Sequence, residues 1–149
     1  MQVIGSQFSQ AGAPGDFSWM IERPEYADAL FIFNDNEEQF RAYVKDPTGG
    51  YGCSDGGGNA RIRHYRCLEP PRAAGVPTGS QGVGYQQLTD AVRGVVDEAI
   101  AVIKDLLASG RYQRVIYSAD SDGGLGTGIF RVGDDVKRYI VAELRQLGD

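Results

Sequence analysis

The stretch Ala29-Leu-Phe-Ile-Phe-Asn-Asp-Asn36 decides the fold class, because an uninterrupted apolar run stops abruptly at three polar residues. A strand with one wet face alternates; an unbroken run predicts a strand covered on both faces, as in a parallel sheet. Arg114-Val-Ile-Tyr-Ser-Ala119 has the same character and ends at Asp120. Between these strands, Val92, Val95, Val96, Ala99, Ile100, Ile103, Leu106 and Leu107 recur at steps of three and four, with Thr89 as N-cap and Gly110 near the end. That pattern predicts a long helix with one apolar face. A last helix starts at Asp134-Asp135, whose carboxylates suit a helix N-terminus, and buries Val136, Ile140, Leu144 and Leu147. Ala73 to Pro77 reads as a further strand, and Phe17 to Ile21 as one more at a sheet edge. The order predicts an α/β fold: one layered domain over residues 1–149, with a mainly parallel central sheet and helices on its faces. Right-handed crossovers then gather the loops after Phe33, Pro77 and Ala119 at one end of the sheet, where ligands bind in such folds.

Composition narrows the functions. With 149 residues the chain is long enough for one sizeable core, and its net charge of -5 argues against binding duplex nucleic acid, which requires surplus Lys and Arg. No apolar run suggests a membrane span. Met1 to Gln10 lacks the basic and apolar regions of a secretory leader, so a cytoplasmic protein is expected. Cys53, His64 and Cys67 are too few and too widely spaced for a tight metal site, and in a reducing compartment a disulfide is not expected. Arg61, Arg63, Arg66 and Arg72 form one local cationic segment, read either as a solvated face or as a surface for an acidic partner.

Two glycine-rich stretches carry the chemistry. Asp122-Gly-Gly-Leu-Gly-Thr-Gly-Ile-Phe130 lies between a buried strand and a helix, where clustered glycines let backbone N–H groups converge on an anion. The lysine of a P-loop and the G-x-G-x-x-G spacing are both absent. Asp55-Gly-Gly-Gly-Asn-Ala-Arg-Ile-Arg63 is the second, leading into a helix that carries the arginines. A triple glycine is entropically costly, which suits a backbone that must approach something closely. With Asn34, Asp35 and Asn36 at the strand end it would wall a cleft.

In Asp28-Ala-Leu-Phe-Ile-Phe-Asn-Asp-Asn36, Gly56-Gly-Gly-Asn-Ala60 and Gly126-Thr-Gly-Ile-Phe130, and more weakly in Gly15-Asp-Phe-Ser18, the chain resembles the macro domains, which bind ADP-ribose and related nucleotides. It also resembles short macro-like proteins of bacteria and phages. It departs from the family in the insertion from Glu37 to Asp55, and in Arg131-Val132 after Phe130 where Gly-x-Pro is common. The resemblance implies a macro-domain-like fold with a nucleotide-type ligand and no cofactor. It implies that Gly126, Thr127, Gly128, Ile129 and Phe130 surround the diphosphate and distal ribose. Asn34, Asn36, Gly57, Gly58 and Asn59 would lie near the distal ribose, and Asp16 would meet the adenine edge.

Hydrolysis of an ADP-ribosyl bond would need a carboxylate to act on water. Asp35 and Asp120, at strand ends, are the catalytic candidates, with Asp122 third. The competing expectation is a non-catalytic accessory protein, viral in type, that engages a partner through the segment Arg61 to Arg72 and through exposed tyrosines.

Overall fold

The computed structural model describes residues 1–128 and 130–148. In chain order the main elements are β1 (Gln2–Gln7), α1 (Phe17–Met20), β2 (Ala29–Asp35), α2 (Glu37–Lys45), β3 (Ala73–Pro77), β4 (Gly79–Ser80), β5 (Val83–Gly84), α3 (Asp90–Leu107), β6 (Arg114–Ala119) and α4 (Asp134–Gln146). Two 3-10 segments, Tyr51–Cys53 and Gly58–Cys67, fill the connection from α2 to β3. The central sheet is parallel, in the order β1-β6-β2-β3, and β4 with β5 makes a separate antiparallel pair.

The unbroken run of β2 is explained by two cores. Leu30 and Ile32 pack with Val95, Ile103 and Ile140 from α3 and α4, whereas Phe31 and Phe33 pack with Phe17 of α1 and Ile62 of the second 3-10 segment. Successive side chains point to opposite faces, and here both faces are covered. Thr89 caps α3 by accepting a hydrogen bond from the Val92 N–H.

Several expectations are corrected. Phe17 to Ile21 is not an edge strand: Asp16 O accepts from the Trp19 and Met20 N–H groups, closing a helical turn that buries Phe17 and Met20 together. That three-residue spacing fits a helix and places a strand's side chains on opposite faces. The edge beside β6 is formed instead by Gln2–Gln7, which among the described residues pairs with β6 alone and carries few apolar residues. The segment with the arginines is a 3-10 helix that buries Arg63 and Arg66 and leaves Arg61 exposed, so only part of it is a solvated cationic face. Cys53 and Cys67 are joined in a disulfide. They meet because Arg66 draws the two 3-10 segments together, donating from Nε to Gly52 O. Among the described residues no helix is long and apolar enough to cross a membrane.

Candidate ligand-binding site

The register of the sheet makes the cleft. The β1–β6 ladder runs to Gln7↔Ala119 and the β2–β3 ladder to Asp35↔Pro77, but the β2–β6 ladder stops at Ile32↔Tyr117. The last residues of β2 and β6 therefore diverge without pairing, and a crevice opens between them at the carboxyl end of the sheet. A cavity of about 650 Å³ occupies this crevice, within the range of about 300–1,000 Å³ common for ligand sites. Asn34 and Asp35 line it from β2 with Asn36 just beyond, Ser118 and Ala119 from β6 with Asp120 just beyond, and Gly56 to Asn59 and Gly126 to Gly128 from the glycine-rich loops, with Phe130. Both loops thus meet at one cleft. Ile129 lies outside the described residues.

The loops present backbone donors. Among the described residues, the N–H groups of Gly57, Gly58, Thr127 and Gly128 donate to no protein acceptor, while Gly126 N–H is held by Ser118 O at 2.9 Å. Unspent N–H groups beside a cavity are the elements of an anion cradle. Gly58 has φ +58°, the left-handed region that favours glycine. Gly126 sits so close to β6 that an added Cβ would lie 2.8 Å from Ala119 O. Asn34 fastens this loop across the split, donating from Nδ2 to Gly126 O at 2.7 Å.

The polar side chains divide between positioning and exposure to the cavity. Asn36 caps α2, its Oδ1 accepting from Gln39 N–H at 2.8 Å and its Nδ2 donating to Gln39 Oε1 at 2.7 Å. Asn59 is a staple: Oδ1 accepts from Phe17 N–H at 2.9 Å, and Nδ2 donates to Gly15 O at 3.2 Å and Ser118 Oγ at 3.4 Å. It joins α1, the glycine run and β6. Asp16 does not line the cavity; its carboxylate folds into its own turn, accepting from Gly12 N–H and the Ser18 hydroxyl.

Asp35 is fully buried between two arginines. Arg66 donates to Oδ2 at 2.6 Å, Arg63 donates to Oδ1 from Nε at 3.2 Å, and Asn36 N–H also donates to Oδ1 at 2.9 Å. The remaining arginine donors go to backbone carbonyls: Arg63 to Ser54 O, and Arg66 to Gly52 O and Gln39 O. Burial pulls the Arg66 guanidinium below its usual pKa, and Asp35 opposes that shift. Asp120 differs. Its Oδ1 accepts from Asp122 N–H at 2.9 Å and Gly124 N–H at 2.8 Å, and among the described residues Oδ2 receives no donor. Asp122 is exposed and lies outside the cavity lining.

Sequence reasoning missed Gln7, Phe8, Gln39, Thr78 and Ser118, all of which line the cavity. Phe8 is 52% exposed, a large apolar ring at the mouth. No local pattern marks Phe8 in the sequence, because it follows an edge strand with few apolar residues and lies far along the chain from both glycine-rich loops. Comparison with protein-family models, curated proteins and solved structures found no match.

Proposed function

We propose that the cleft binds ADP-ribose or a related NAD-derived nucleotide. The observation that carries this reading is the meeting of both glycine-rich loops, with unspent backbone N–H groups on each, in one cavity where β2 and β6 part. Their sequence order resembles that of macro domains. The N–H groups suit a diphosphate, as backbone nests do elsewhere. Phe8 offers a flat apolar surface to a base, and Asn34, Thr127 and Ser118 lie beside the same cavity as polar partners for ribose hydroxyls.

Hydrolysis of an ADP-ribosyl bond is a second reading, favoured by Asp120 Oδ2. Asp120 would take the proton of a water whose oxygen bonds the ribosyl anomeric carbon as the bond to the departing group breaks. Asp35 fits that task less well, because its lone pairs already accept from Arg63, Arg66 and Asn36. The competing partner-docking role keeps Arg61 as an exposed cation but has less charged surface than the sequence suggests, since Arg63 and Arg66 are buried and Arg72 bonds the carbonyls of Ile21, Ala29 and Tyr26.

The test is a thermal-unfolding series with ADP-ribose, NAD and ribose phosphate. ADP-ribose at 100 times its Kd should add about 2.7 kcal/mol of stability, and ribose phosphate at the same concentration much less. No shift with either dinucleotide-type ligand would reject the reading.

A further inference from the structure

We propose that the wall of the cleft formed by Gly57, Gly58 and Arg63 holds an oxyanion of its own, a phosphate-class group in addition to the diphosphate. The inference deepens the nucleotide reading and rests on it for the identity of the ligand. In that reading Gly57, Gly58 and Asn59 meet the distal ribose, so the group is a phosphate carried at that end of the ligand or a free phosphate bound beside it.

The buried charge behind this wall does not balance. Arg63 and Arg66 share one carboxylate, that of Asp35, at 3.1 Å and 2.6 Å, and all three side chains are no more than 3% exposed. Among the described residues no other carboxylate pairs with either guanidinium, so the cluster carries one net positive charge. Asp120, the other carboxylate at the cavity, is held in its own loop by the Asp122 and Gly124 N–H groups. A buried charge without a counter-ion is costly. The carbonyls of Ser54, Gly52 and Gln39 and the ring of Phe33 offset part of that cost. Burial nevertheless pulls the Arg66 guanidinium below its usual pKa, with Asp35 opposing the shift and the charge of Arg63 adding to it.

Arg63 brings the surplus charge to the ligand side, since it lines the cavity and Arg66 does not. An added Cβ at Gly56 would lie 2.8 Å from Arg63 Nη1, so the guanidinium rests against the glycine run. Its Nε and Nη2 face Asp35 Oδ1, and its Nη1 donates to Ser54 O. Arginine carries five N–H groups, so guanidinium protons remain that have no protein acceptor among the described residues. The next N–H groups along the run, those of Gly57 and Gly58, are equally unspent. A cation and converging backbone donors on one wall are the means by which proteins hold phosphate. A neutral ribose has no use for the charge.

The test titrates the whole chain and Arg63→Gln with inorganic phosphate, read by amide NMR and calorimetry. Phosphate should shift the Gly57 and Gly58 amides at lower concentration than those of Thr127 and Gly128. Arg63→Gln should bind it at least about tenfold more weakly, the loss expected for charged hydrogen bonds. ADP-ribose and its derivative phosphorylated on the distal ribose then separate the two sources. Binding of the derivative about tenfold tighter than ADP-ribose, with the advantage lost in Arg63→Gln, assigns the oxyanion to the ligand. Equal affinities, with inorganic phosphate bound at Gly57 and Gly58, assign it to the free ion. The subsite is overturned if the parent chain shows neither saturable phosphate binding nor a preference for the derivative, or if Arg63→Gln keeps the parent's affinity for both. Should Arg63→Gln fail to fold, the order of the amide shifts in the parent chain decides. Phosphate bound at Gly57 and Gly58 by a chain that ignores ADP-ribose sustains the subsite and rejects the nucleotide reading.

Discussion

Asn59 shows how a residue's type is readable in a sequence while its use is not. A polar side chain at the end of a glycine run signals a site, yet its amide is spent on Phe17 N–H, Gly15 O and Ser118 Oγ, partners that folding brings from three separate segments. Asn59→Ala should lower stability by about 1–3 kcal/mol, because a partly buried N–H and two acceptors lose their partner; urea unfolding measures this. Phe8 is the opposite case, with an exposed ring that the fold does not need. Phe8→Ala should leave the unfolding midpoint unchanged and weaken nucleotide binding by about 1–3 kcal/mol if the ring stacks on a base, as calorimetry would read. At Asp16, burial raises the carboxyl pKa, but the donors Gly12 N–H, Ser18 hydroxyl and Trp19 N–H outweigh it and hold the group below 3.8. A depressed folded pKa stabilises at and above neutral pH, and that contribution disappears as pH falls through the folded value. A carboxyl NMR titration of Asp16 should give a midpoint under 3.8; one at or above it contradicts the turn geometry.

Among the elements, those with strong periodicity were legible and those fixed by tertiary contacts were not. β2, β6, α3 and α4 announce themselves because each buries a long apolar run or stripe. β1 escaped notice because an edge strand has one neighbour and a mixed surface, and α1 because one turn of helix is too short to show a period. The arginines of Gly58–Cys67 suggested a surface, whereas the fold turns two of them onto Asp35 and over the Phe33 ring, at 5.3 Å for Arg63 and 5.2 Å for Arg66. Gly75 on β3 makes room for this cluster, since an added Cβ would lie 2.7 Å from Asp35 Oδ2 and 2.9 Å from Arg66 Nη1. Asp35→Ala should therefore act on folding, costing about 3–5 kcal/mol as two buried guanidinium groups lose their partner. Asp120→Ala should cost far less in denaturant unfolding, since its carboxylate serves only a loop. Equal losses for the two variants would contradict the assignment of Asp35 to the structural cluster.

For the whole molecule, the position of the cleft follows from the sheet's topology, and its shape from a register that no local pattern encodes. That a cleft should open at the carboxyl ends of the strands was legible once β2 and β6 were read as parallel. That β2 and β6 separate after Ile32↔Tyr117 depends on the loops they lead into, with Asn34 and Asn59 bracing the opening. The proposed anion cradle of the two glycine-rich loops is best probed at Gly128. Among the described residues, its chain neighbours apart, no atom lies within 4 Å of a Cβ built there, and its backbone is outside the left-handed region, so Gly128→Val should fold like the parent chain. Calorimetric titration of both proteins with ADP-ribose is the decisive measurement. The parent chain should bind one-to-one, and Gly128→Val at least tenfold more weakly at an unchanged melting temperature. No heat of binding from the parent chain, or equal affinity in the two proteins, would contradict it.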